Sequence, residues 1–205
     1  MRQICLIVSI MSLAETRILN AAKCCCERWG MAKVSVDDIA TEAGVSRATL
    51  YRMYPGGKDV VLDALRVREL EEFFAALNAG VVGAEGLEEL LIRCVVVATT
   101  ELRADDHLAL MLASEAGETL AQLTVQGLPR IIRMASLFLA PLAEPYLDRR
   151  DASRLVELLS RLVISYFLAP SDHVDLGDTE SATFFIRTHI LPAFQPSLPD
   201  IGASA

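Results

Sequence analysis

The chain has 205 residues, of which 53% are hydrophobic, and a formal net charge of −8. That length holds one large domain or a small domain joined to a medium one, and so much apolar material excludes a disordered chain. The charge is uneven: residues 1–58 hold eight Lys and Arg against five Asp and Glu, net +3, whereas residues 59–205 hold eleven against twenty-two, net −11. A basic end on an acidic chain points to nucleic acid at that end and to a remainder that faces away from phosphate.

Leu and Ala dominate, which favours helices over strands. The opening stretch MRQICLIVSIMSLAE sets one Arg before an apolar run and small residues, the pattern of a weak signal peptide. It is far shorter than the about 20 apolar residues of a spanning helix, so a membrane anchor is not expected. Two other readings stay open: Met11 is the biological start, or the run adds a turn before the first helix. Residues 1–13 are taken as an extension, disordered or an extra turn, before the first domain.

In AETRILNAAKCCCERWG (14–30), Ile18, Ala21, Ala22, Cys25 and Cys26 recur at helical spacing, and Gly30 is placed to end the helix. Cys24, Cys25 and Cys26 point about 100° apart around it. They cannot converge on one ion, no C-x-x-C pair exists, and Cys5 and Cys94 stand alone, so no metal site is expected. Reduced thiols in a cytoplasmic protein are the expectation.

Ser35 reads as the N-cap of a helix over 35–44 with Asp37 and Asp38 in its first turn. Gly44 can take the left-handed conformation that stops it. Ser46 caps a third helix, SRATLYRMY, which Pro55-Gly56-Gly57 breaks. A long helix runs from Lys58 to about Ala79, with Val60, Val61, Ala64, Leu65, Leu70, Phe73, Phe74 and Leu77 as its buried stripe. After the glycine-rich break 78–86 come helices over 87–103 and 105–114. GETLAQLTVQG is ambiguous. Residues 128–147 read as helical to Pro141 or beyond, 151–170 form the clearest helix of the second half, 171–178 a loop and 179–194 the last helix, with a frayed tail beyond Gln195.

Residues 36–55, VDDIATEAGVSRATLYRMYP, have the features of a helix-turn-helix. Ala40 is small where two helices must touch, Gly44 supplies the turn, and Ile39, Val45 and Leu50 fall in a three-helix core. Arg47, Ala48, Tyr51 and Arg52 are left on the exposed face of the second helix, whose N-terminal end would enter the major groove. Arg47 can pair with both O6 and N7 of guanine. Arg52 and Lys58 would bind phosphate and fix register without reading sequence. Lys58 also starts a helix, where backbone N–H groups favour anions.

The stretch from TRILNAAKCCCERWG to VSVDDIATEAGVSRATLYRMYPGGKDVVLDAL, about residues 14–65, resembles the DNA-binding domain of the TetR family of transcriptional regulators. The matching positions include Ile18, Leu19, Ala21, Ala22, Gly30, Val36, Ile39, Ala40, Ala43, Gly44, Val45, Ser46, Thr49, Leu50, Tyr51, Tyr54 and Lys58. Cys26 stands where the family usually has a large aromatic, Ala48 where it has Gly, Met53 where it often has His, Tyr54 where Phe is commoner, and PGGK is one residue longer than the usual spacer. The resemblance implies an all-α protein with a three-helix DNA-binding domain over 14–58 and a helical effector-binding and dimerisation domain over 59–205. It implies that Tyr51 hydrogen-bonds a backbone phosphate and that Ser46, Arg47, Ala48, Thr49, Tyr51, Arg52 and Lys58 form the DNA-binding set. Tyr54 is expected in the core and Lys33 solvated.

The helix over 151–170 has one narrow polar stripe, Arg154, Glu157, Arg161 and Ser165, with Glu157 and Arg161 ordered as an i,i+4 pair. A helix apolar around the rest of its girth is buried on more than one side. The resemblance pairs the last two helices with those of a second copy in a four-helix bundle, here through Leu155, Leu158, Leu159, Leu162, Tyr166, Phe184 and Phe185; a single large core is the other reading. The effector pocket implied by the resemblance would be lined by residues such as Phe74, Glu101, His107, Met111, Met134, Phe138, Tyr166 and Phe167, with Phe73, Leu77 and Glu115 as further candidates. Core packing accounts for most of these equally well, and their apolar character suggests an apolar or amphipathic small molecule.

The expected function is therefore a homodimeric regulator of transcription, a repressor that a small-molecule ligand releases from a palindromic double-stranded DNA operator. The alternatives are a helical ligand-binding or interaction protein, or an enzyme, without DNA binding. No H-E-x-x-H, phosphate loop, nucleotide-binding glycine pattern or nucleophile elbow is present, and His107, His173 and His189 are far apart in sequence. Neither catalytic residues nor a cofactor are expected.

Overall fold

In a computed structural model, residues 13–114 and 116–194 are described, and they form helices joined by short turns, with no strand among them. The N-terminal extension with Cys5, the candidate Glu115 and the tail beyond Phe194 lie outside the described residues. Ten α-helices follow in order: α1 Leu13–Trp29, α2 Val36–Ala43, α3 Arg47–Met53, α4 Lys58–Val81, α5 Leu87–Ala104, α6 Asp106–Ser114, α7 Ala116–Leu123, α8 Leu128–Ala143, α9 Arg149–Leu168 and α10 Thr179–Phe185. A π-helical turn, Ile186–Ile190, and a 3₁₀ turn, Leu191–Ala193, continue α10. No helix among the described residues is long and apolar enough to cross a membrane.

The chain divides into two compact units. Of the described residues, one comprises 13–69 with 113 and 114, and the other 70–112 with 116–194. In the first, Ile18, Leu19, Ala22, Cys25 and Cys26 of α1 pack with Ile39, Ala40 and Ala43 of α2, Leu50 of α3, and Val61, Leu62 and Leu65 of α4. Cys26 is 1% exposed, so a small thiol closes the core at that position. Val60, expected in the stripe, is instead exposed: its side chain covers the backbone of Gly56, while Leu62 takes the inward position.

The second unit is built around Phe74, Leu77 and Val81 of α4, the inward face of α5 from Leu87 to Ala98, and Ala152, Leu155, Val156, Leu159 and Val163 of α9. The ambiguous stretch resolves into α7, followed by a turn to Gly127. α8 runs through Pro141 to Ala143. The last helix departs from the expected regular run to residue 194. Pro192 has no N–H to donate to the carbonyl four residues before it and its ring crowds that turn; the helix widens ahead of it, and the Leu191 N–H reaches back five residues to the Ile186 carbonyl.

Candidate nucleic-acid interface

α2 begins on a reciprocal cap. The Asp38 N–H donates to Ser35 Oγ at 3.3 Å, while Asp38 Oδ2 accepts from the Ser35 N–H at 2.9 Å and from its hydroxyl at 2.6 Å. These hydrogen bonds hold the Asp38 carboxyl below the usual carboxylate range. The helix ends at Gly44, whose φ of 62° and ψ of 39° are the left-handed conformation predicted for it. The Gly44 N–H donates to the Thr41 carbonyl at 3.1 Å and the Val45 N–H to the Ala40 carbonyl at 3.0 Å.

Two residues on, Ser46 caps α3. Its Oγ accepts from the Thr49 N–H at 3.1 Å and lies 2.9 Å from Thr49 Oγ1. With both hydroxyls engaged, the first turn of α3 is fixed by its own side chains. Leu50 is fully buried and Tyr54 is 9% exposed, and burial pushes the Tyr54 phenol up. Arg47, Ala48, Tyr51 and Arg52 are exposed and Thr49 is half-buried. Of the sequence-predicted contact set, Arg47, Ala48, Thr49, Tyr51 and Arg52 lie on this seven-residue helix with Ser46 at its cap, whereas Lys58 begins α4.

The surroundings of this helix carry residues whose roles the sequence does not reveal. Arg17 of α1 donates from Nη2 to the Gly44 carbonyl at 3.3 Å, fastening the turn. Asp37 of α2 pairs with Arg47, Oδ1 to Nε, at 2.9 Å. Gly56 and Gly57 both have positive φ, 119° and 72°; the second lies against the Tyr51 ring. Lys58 is half-buried and donates from Nζ to the Ala32 carbonyl at 3.3 Å, tying the start of α4 to the loop between α1 and α2. Arg52 has no carboxylate within ion-pair distance among the described residues.

In the second unit, the rings of Phe74 and Phe138 stack with centroids 5.6 Å apart and planes 3° from parallel, and Phe73 meets Phe74 edge-on. Met134 and Tyr166 pack half-buried on the same core, Met111 is buried, Phe167 and His107 are half-buried, and Glu101 is exposed. Of the expected dimer residues, Leu155, Leu159 and Phe185 are enclosed by their own subunit. Leu162 and Tyr166 are half-buried, whereas Leu158 and Phe184 are exposed, Phe184 at 68%. Glu157 accepts from Arg161 at 2.8 Å on the polar stripe of α9. Sequence reading overlooks Thr99, 1% exposed on α5 and with no hydrogen-bond partner for its hydroxyl among the described residues; within the run VVVATT it is indistinguishable from its solvated neighbour Thr100. Among the described residues no group of three His, Cys, Asp or Glu is placed to hold a metal ion.

A Ser-capped short helix, set by a left-handed glycine turn against a second short helix and a third that completes the core, is a helix-turn-helix domain. Residues 18–65 match the family model of bacterial regulatory proteins of the TetR family. An uncharacterized HTH-type transcriptional regulator of Mycobacterium bovis is 32% identical over 99 residues, 48% of this chain and 50% of that protein. One from Mycobacterium tuberculosis is 30% identical over the same shares. The chain spans about half the length of the curated relatives it matches. Among solved structures, the TetR family repressor AlkX from Dietzia, implicated in biodegradation of n-alkanes, aligns over 89% of this chain and 96% of its own with a TM-score of 0.64 at 21% identity. The fatty acid degradation regulator FadR from Bacillus halodurans aligns over 86% and 95%, with a TM-score of 0.57 at 21% identity. The match to the TetR family model is confined to residues 18–65, and the likeness of fold to solved structures extends beyond that segment.

Proposed function

We propose that the protein is a sequence-specific, double-stranded DNA-binding regulator of transcription in the cytoplasm, acting as a homodimeric repressor that a small molecule releases from a palindromic operator. The observation that carries this reading is the exposure of Arg47, Ala48, Tyr51 and Arg52 on one side of a helix whose opposite side, Leu50, is sealed in the core. Arg47 would read guanine, while Tyr51, Arg52 and Lys58 would bind phosphate. Ser46 and Thr49 would hold the helix end against the backbone.

A two-fold pair would place two such helices one DNA turn apart, about 34–36 Å. Exposed Leu158 and Phe184 support a second copy as the cover of α9 and α10, with half-buried Leu162 and Tyr166 beneath them; Leu155, Leu159 and Phe185 would support that face from within. The effector would enter the second unit among Phe74, Met111, Met134, Phe138, Tyr166 and Phe167, with Glu101 and His107 as polar candidates. It would act by favouring an arrangement of α4, the helix shared by both units, that no longer suits successive major grooves. The subjects of the AlkX and FadR structures make n-alkanes and fatty acids the first effectors to try.

Selection of bound duplexes from a random pool tests the reading. Enrichment of an inverted repeat supports the regulator and its symmetry together; recovery of no sequence above background, at low salt as well as high, overturns it. Binding that does not weaken with salt would also count against it, because phosphate contacts release counterions.

A further inference from the structure

We propose that Asp37 is a positioning residue for sequence reading: it holds Arg47 through Nε so that the terminal edge of the guanidinium is presented to guanine. The inference rests on the DNA-binding reading above and adds a residue on α2 to the recognition machinery of α3.

Two acids follow Ser35, and they have different work. Asp38, at the third position of α2, is committed to the capping box by its bonds with the Ser35 N–H and hydroxyl. Asp37 is one residue too early for that geometry. Its carboxylate instead meets Arg47, the first residue of α3, with Oδ1 2.9 Å from Nε. Both side chains remain more than half exposed, 60% for Arg47 and 58% for Asp37, so the pair lies at the surface where DNA would arrive.

The atom used matters. Arg carries five N–H donors in a planar fork, and one of them is on Nε. A carboxylate on Nε occupies the inner flank and leaves the Nη1–Nη2 edge, which can pair with O6 and N7 of one guanine. Fixing the flank removes rotamer freedom that a long side chain otherwise loses on binding. A carboxylate so near the duplex also disfavours a loose approach to phosphate. Asp37 should therefore favour operator and disfavour other DNA, whereas a simple acidic neighbour would disfavour both alike.

The test uses the full-length wild type, Asp37→Asn, Asp37→Glu, Arg47→Ala and the Asp37→Asn/Arg47→Ala double variant. Each is titrated with the duplex recovered from the random pool and with a shuffled duplex of the same composition. Asp37→Asn should weaken recovered-duplex binding by about two- to fivefold, the range of an exposed ion pair, and strengthen shuffled-duplex binding. Asp37→Glu should restore most of the discrimination. In the Arg47→Ala background, Asp37→Asn should no longer weaken recovered-duplex binding. Replacing guanine by 7-deazaguanine should cost the wild type more than Asp37→Asn. Stronger binding of both duplexes by Asp37→Asn, or the same effect with and without Arg47, overturns the proposal while leaving the regulator reading intact. Failure of the wild type to bind any duplex overturns both.

Discussion

Gly57 stands directly behind Tyr51: a Cβ built on it would lie 3.0 Å from Cε1 of the ring and 3.5 Å from the hydroxyl. The PGGK spacer, one residue longer than the family's usual spacer, is accommodated by successive positive-φ glycines, the second supporting a proposed phosphate contact. Gly57→Ala should destabilise the protein by about 1–2 kcal/mol from the left-handed backbone alone, and the Tyr51 ring must yield by a few tenths of an ångström. The expected outcome is a lower denaturant midpoint together with weaker DNA binding. An unchanged midpoint would show that the spacer tolerates a side chain there.

Arg52 is exposed with no carboxylate in reach among the described residues, so its removal should leave stability nearly unchanged. As a phosphate contact it would contribute about 0.9 to the slope of log affinity against log salt for each operator half. Arg52→Ala should flatten that slope by this amount and weaken all sequences alike. A loss confined to one base position would make Arg52 a reader of sequence instead.

The contrast between these residues shows what the sequence makes legible. Ser35, Gly44 and Ser46 act on backbone groups within five positions of themselves, so caps and turn can be read from the chain. The ties from Arg17 to Gly44, Lys58 to Ala32 and Arg47 to Asp37 join residues 27, 26 and ten positions apart. They exist only because four helices pack at particular angles, which apolar spacing does not encode. The same limit applies in the second unit: periodicity marks Leu155 and Leu158 equally, while tertiary packing buries the first and exposes the second. At the end of α10, Pro192 signals a stop, but a stop in the sequence does not say that the turn ahead of it widens to a Leu191-to-Ile186 hydrogen bond.

Thr99 carries a buried hydroxyl that no group among the described residues satisfies. Thr99→Val keeps the shape and removes the desolvated oxygen, whose burial costs about 1–3 kcal/mol. The variant should be more stable by about 1 kcal/mol, raising the thermal midpoint by about 2–4 °C for a chain of this size. A lower midpoint would reveal a partner, such as an enclosed water, that the hydroxyl retains.

The thiols should differ sharply in reactivity. Burial pushes the Cys94 thiol up to about 12 and raises that of Cys25, with Glu42 and Asp38 adding to the second effect; Cys26 is buried and Cys24 only partly so. Only the thiolate reacts. Native protein treated with iodoacetamide at pH 8 should therefore carry the label at Cys24 well before Cys25, Cys26 or Cys94, as peptide mass mapping will read. Early labelling of Cys94 would require that α5 open readily.

Asp175 gives stability a defined response to acid. Arg103, with Nη2 at 2.8 Å, and the Gly177 N–H hold its carboxyl below the usual range. Since the folded value lies below that of the unfolded chain, near 3.9, the contribution is complete above the unfolded value and disappears as pH falls through the folded one. Asp175→Asn should lower stability at pH 7 and converge with the wild type at the acid end. Parallel stability curves across the whole range would show that the carboxylate charge is not what Arg103 recognises.

α4 places Val61, Leu62 and Leu65 in one core and Phe74, Leu77 and Val81 in the other. The module boundary is therefore not at the loop before the helix but inside it, between Glu69 and Leu70. A DNA-binding half exchanged between relatives at residue 58 would arrive without one wall of its core. A chimera joined after residue 69 would keep those three side chains with the partners they pack against, so that is where the two interiors can be parted with the least rebuilding of either.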